Sequence, residues 1–155
     1  MTATDVETGD RFPGVIDRSF SNKLGGASFA LWGMIHVVVG GLGLAIYFTG
    51  GTEPMVAFVN IDAAVNEQAA RMAVLVAEFY QALLLIGLTS IVLGLTLNWR
   101  GEPLGLGLNV ILVASIEVFF IWFEVLPGHR PASVAVVTVA LLVLGIVFCG
   151  LGSLR

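Results

Sequence analysis

Four ionisable side chains, His36, Glu78, Glu117 and Glu124, sit within stretches of chain that are otherwise almost wholly apolar. Such groups are costly to bury, and they mark proton relays, ion sites or interhelical contacts. Two carboxylates held together in a low dielectric do not both ionise, so a Glu78–Glu117 pair would suit proton exchange or cation binding. Gln81, one turn beyond Glu78, would add a neutral donor and acceptor. Carboxylates with a histidine also suit a divalent metal. The Glu-x-x-His spacing of di-iron bundles is absent, however, and His36 is the only histidine in an apolar run. A haem between two histidines is disfavoured as well, because His129 falls in a polar connection. No metal and no cofactor is expected.

The elements that must position these groups are four apolar runs, at about residues 27–48, 72–99, 104–126 and 132–154. Each can cross a hydrocarbon core of about 30 Å, which takes roughly 20 helical residues. Breakers separate them: Thr49-Gly50-Gly51-Thr52-Glu53-Pro54, Arg100-Gly101-Glu102-Pro103 and Pro127-Gly128-His129-Arg130-Pro131. The last two are short enough to force hairpins. The first connection is longer, and its apolar stretch 55–61 suits an interfacial segment. The expected fold is an all-α integral membrane protein, an antiparallel four-helix transmembrane bundle over residues 26–155. A polar, acidic tail over residues 1–25, unlike a cleavable signal, precedes it.

Composition supports that fold. The 155 residues suffice for one domain, with 57% of them hydrophobic and only 12% charged, against roughly 25% charged in an average soluble domain. Mean hydropathy is +0.98. The net charge of −4 argues against nucleic acid, which needs a basic face. Cys149 is the only cysteine, so no intrachain disulfide forms, and its apolar neighbours suit a small packed hydrophobe. Arg11, Arg18, Lys23, Arg100 and Arg155 fall on one side of the spans, Arg71 and Arg130 on the other. That bias places both termini in the cytoplasm, with Trp99 at the inner interface of a plasma (inner) membrane and Trp122 at the outer one. Trp32 lies deeper.

Helix rise sets Glu78 and Glu117 at one depth, roughly 20 Å above the inner edge, with His36 lower and Glu124 near the outer boundary. Glu67, Arg71, Glu78 and Gln81 share a face of the second span; Asn109, Glu117 and Glu124 recur along the third. If the stripes face each other, they line a polar seam from the outer surface to mid-membrane. The alternative is interhelical glue, with Glu78 paired to Arg71 and the glutamates bonded to Gln81, Tyr80 or Asn109. The aromatic set Phe79, Tyr80, Phe119, Phe120, Trp122 and Phe123 suits either plain packing or a pocket for a quinone or sterol-like lipid. Gly33, Gly40, Gly41, Gly43 and Ala45, with Gly145, Gly150 and Gly152, offer close-packing faces; Gly41 and Ala45 form a small-xxx-small pair.

Glu78 ahead of Leu83-Leu84-Leu85-Ile86-Gly87-Leu88 resembles the small four-span bacterial families of the DoxX-like kind, and the resemblance implies the four-span layout alone. Soluble-enzyme signatures are missing: no phosphate loop, no Ser/His/Asp set, no Cys-x-x-Cys. The expected function is a non-enzymatic accessory or assembly subunit of a larger membrane complex, partnered by the bilayer and by other subunits or itself. The alternatives are a self-contained binder or carrier of a small ligand, proton or cation through Glu78, Glu117 and His36, and a membrane enzyme acting on a lipid or quinone.

Overall fold

The computed structural model describes residues 17–51, 54–55, 67–128 and 130–153, with side chains in the second span from Arg71 onward. Among the described residues there are four long helices and no strand. We label them α1 (Arg18–Gly50), α2 (Glu67–Leu93), α3 (Pro103–Phe120) and α4 (Ala132–Ser153). One wider turn continues α2 through Gly94–Asn98 and another continues α3 through Ile121–Val125. All four are long and apolar enough to cross a membrane, the architecture of a small multi-pass integral membrane protein.

Local chemistry explains where the helices begin and end. Asp17 caps α1, its carboxylate accepting from the Ser19 amide at 3.0 Å, so the helix starts at Arg18, ahead of the apolar run that begins near residue 27. Residues 18–25 are thus its first two turns, with Ser21, Asn22 and Gly25 buried. At 33 residues α1 runs about 50 Å, well beyond a hydrocarbon core. Pro103 opens α3, where its missing N–H costs nothing. Gly101 (φ 75°) and Gly128 (φ 85°) take the left-handed backbone that ends the preceding segments. In the wide turns the amide of Trp99 reaches back to Gly94 O at 3.1 Å, and that of Leu126 to Ile121 O at 2.9 Å.

α1 is the central helix. Against α2 it sets Gly26 on Gly94, Gly33 on Gly87 and Gly40 on Leu84. The numbers rise on one helix as they fall on the other, so the pair is antiparallel. Against α4 it sets Gly25 on Cys149 and the Phe29 ring on Gly145, and Arg18 Nε donates to Gly152 O at 2.7 Å. The start of α1 and the end of α4 therefore share one end of the bundle. Two apolar clusters fill the interior. Met55, Ala73, Ala77, Tyr80 and Leu83 form one; Phe29, Trp32, Val113, Leu142 and Cys149 form the other. The outward surface is apolar, with Val38, Phe48, Leu75, Ile111, Val118 and Val136 all exposed.

The close-packed glycines differ from the expected pair. Gly41 has only Leu84 Cδ1 near it, at 3.8 Å, and Ala45 is exposed. Gly150 meets open space. The seam uses a seven-residue repeat, Gly26, Gly33 and Gly40, because antiparallel helices that stay in contact keep one stripe inward at that period. Of the stretch 55–61, only Met55 is described. It is fully buried against α2.

Candidate functional site

Every fourth residue of α3 from Gly105, namely Gly105, Asn109, Val113 and Glu117, is buried, so this helix turns one narrow stripe inward. Glu117 lies on that stripe about 21 Å along from Pro103, and Trp32 lies the same distance along α1 from Arg18. The two meet. Trp32 Nε1 donates to Glu117 Oε1 at 2.7 Å, and Thr138 of α4 donates from Oγ1 to Oε2 at 3.0 Å. Glu117 is 3% exposed. One carboxylate thus takes a hydrogen bond from each of two other helices, and both of its oxygens are occupied.

His36, one turn beyond Trp32, stacks on the indole with ring centroids 3.7 Å apart and planes 22° from parallel. Its Nδ1 lies 2.9 Å from the Trp32 carbonyl. A carbonyl only accepts, so Nδ1 carries the hydrogen and Nε2 of the neutral ring remains an acceptor. Below this group, Ser90 of α2 donates to the Phe29 carbonyl at 3.1 Å, a polar tie across the glycine seam.

Two of the expected partners do not join the site. Glu78 and Gln81 are exposed on the outward face of α2. The ring contact between Phe79 and Phe119, 6.0 Å between centroids, keeps Glu78 within about a turn of Glu117 in height. The depth agrees; the facing does not. The reason is the glycine seam, which fixes the rotation of α2 by turning Tyr80, Gly87 and Gly94 inward and so sends residue 78 to the opposite side and residue 81 to the flank. The side chain of Glu67, which would extend this stripe, lies outside the described residues. Asn109 is buried as the inward stripe requires, but makes no bond to Glu117. Glu124 sits half-exposed near the far end of α3, with Arg130 Nε 3.9 Å from its carboxylate and the Arg130 amide on its carbonyl at 2.9 Å. His129 lies outside the described residues.

The aromatic residues form an outer ridge rather than the wall of an interior pocket. Phe79, Phe119 and Phe123 stack in sequence, all exposed, with Trp122 beside them. Tyr80 is turned inward, its ring covering Gly43.

Trp32 and Thr138 had not been singled out for chemistry. A usable signal was present for each. An indole placed below the interfacial belt must find an acceptor for its N–H inside the protein. Thr138 interrupts an apolar run that has no other polar residue between Ser133 and Cys149.

No protein-family model, curated protein or solved structure matches the chain.

Proposed function

We propose that this chain is a non-enzymatic subunit of a larger membrane complex, seated in the plasma (inner) membrane with both termini in the cytoplasm. The observation that supports this reading is the contrast between two glutamates of similar depth. Glu117 has its hydrogen bonds satisfied within the bundle, whereas Glu78 projects outward with no partner among the described residues. Glu78 lies about 10 Å along α2 from Arg71, inside the apolar run. An acid facing hydrocarbon at that depth costs about 3 kcal/mol on the insertion scale, less toward the interface. A neighbouring membrane helix that offers a basic or hydroxyl side chain at this level would remove the cost. Gln81, one turn deeper on the same face, would pair with a second polar group of that helix.

The test compares gentle extraction of the wild-type chain with that of Glu78→Leu. The wild type is expected to retain a second membrane protein in fixed stoichiometry. The variant should lose that protein while keeping its own thermal stability. A wild-type chain that is extracted alone, or a variant that keeps the same partner, would remove the basis for this reading.

A further inference from the structure

Opposite its glycine seam, α2 carries Glu78, Ala82, Leu85, Thr89, Val92 and Thr96, all exposed and alternately four and three residues apart. They form one stripe about 27 Å long. That spacing belongs to any helix with one side turned outward; the residues filling it are what set α2 apart. The outward stripe of α3 is bulky and apolar, with Leu104, Leu108, Ile111, Val118 and Trp122 exposed and Ser115 the one small residue among them. On α2 every seventh residue is small: Ala82, Thr89 and Thr96. The two hydroxyls donate to carbonyls of their own helix, Thr89 to Leu85 at 2.8 Å and Thr96 to Val92 at 2.5 Å. They therefore act as compact side chains with no polar demand of their own. A small residue at each seventh position is the device that brings α1 close to α2 on the inner side, at Gly26, Gly33 and Gly40. The outer side of α2 repeats that period with no helix of this chain against it.

Glu78 closes one end of the stripe and fixes the chemistry of whatever covers it. A lysine or arginine alone on a membrane helix carries the same kind of cost as an exposed acid, so a pair of opposite sign relieves both. A second copy of this chain supplies no such base. Two copies in the same orientation would set Glu78 against Glu78. An inverted copy would bring Arg71 toward Glu78, but it would carry Arg18, Lys23 and Arg100 to the opposite side of the membrane, against the bias from which the orientation is read.

We propose that a transmembrane helix of a different chain lies lengthwise along α2, with its backbone close to Ala82, Thr89 and Thr96 and a lysine or arginine against Glu78. A seven-residue repeat gives a left-handed crossing of about +20°. The proposal rests on the reading of this protein as a subunit, and adds the face that is covered, the direction of the covering helix and the sign of its charge.

Site-specific cross-linking of the full chain in native membranes tests it. A photo-reactive amino acid at Leu85 or at Val92 should trap one and the same protein, and at Ile111 of α3 or Val136 of α4 should not trap it. Peptide mapping should find a lysine or arginine in the trapped helix about two turns from the residue joined to position 85. Glu78→Lys should cut the yield about tenfold, the scale of one strong interhelical contact, and changing that base to glutamate should restore it. Thr89→Leu should lower the yield similarly while leaving the chain's own thermal stability unchanged, because Thr89 is exposed. An adduct of twice the chain's own mass, an adduct formed equally well from Ile111, or a trapped helix without a base overturns the proposal. A partner kept on gentle extraction but trapped only through α3 or α4 overturns this proposal alone; a chain extracted with no partner overturns the subunit reading with it.

Discussion

Along α1 run two seams of opposite kind. On the α2 side, backbone lies almost on backbone: a Cβ at Gly33 would stand 2.5 Å from the Gly87 carbonyl oxygen, and one at Gly26 2.5 Å from that of Gly94. On the side where α3 and α4 meet, a tryptophan, a glutamate and a threonine bridge the helices. The difference follows from the solvent. In lipid, apolar side chains gain little by leaving their surroundings, so helices associate by close van der Waals packing or by hydrogen bonds that hydrocarbon cannot supply. The first device needs glycine at a strict repeat and tolerates no added atom. The second needs only one well-placed acceptor.

The comparison breaks most visibly at the glycine seam. Gly33→Leu should cost about 3 kcal/mol, the upper range for overpacking, because the clashing atom is backbone that cannot swing aside. Thermal unfolding in detergent reads this out. Gly107→Leu should be neutral or stabilising by up to about 1 kcal/mol, since a Cβ there meets open space and glycine is a poor helix former. On the polar side, Trp32→Phe keeps much of the ring packing but strips Oε1 of its donor, and should cost about 1–3 kcal/mol. Thr138→Val should cost about 1 kcal/mol, since Trp32 still holds the other oxygen. Glu124→Gln should move stability by less than about 0.5 kcal/mol, because its ion pair with Arg130 is long at 3.9 Å and both side chains are about 40% exposed. Equal costs at Gly33 and Gly107 would show that the glycine seam is not a seam at all.

How much of this was legible beforehand depends on which physical term decides it. The four spans are written in hydropathy and in the Gly/Pro breakers, and Arg100 and Gly101 form a turn where one was expected, with Pro103 opening the next helix. Hydropathy marks the apolar run from about residue 27 but says nothing of where the helix around it begins; α1 begins at Arg18 because Asp17 is a cap, and capping depends on one side chain rather than on an average over a window. Glu117 stood out as an acid in an apolar run, but the partners considered for it were on α2 and on its own helix, whereas the structure supplies them from α1 and α4. Helix rise gives depth, yet the direction a residue faces depends on rotation about the axis. Here that rotation is set by Gly87 and Gly94, whose close approach to Gly33 and Gly26 becomes visible only when the two helices are placed together. The inward asparagines show the same limit. Asn109 shares a face with Glu117 by spacing alone, whereas Asn22 and Asn98 come from the ends of two other helices.

The central claim is that α3 is fastened to α1 through the Trp32–Glu117 hydrogen bond. A double-mutant cycle in unfolding free energy, combining Trp32→Phe with Glu117→Leu, measures that bond with the packing losses cancelled. The expected coupling is about 1–2 kcal/mol, the range for a hydrogen bond between membrane helices. Costs that simply add would mean that the indole and the carboxylate do not hold each other, and that α3 is kept in place by something else.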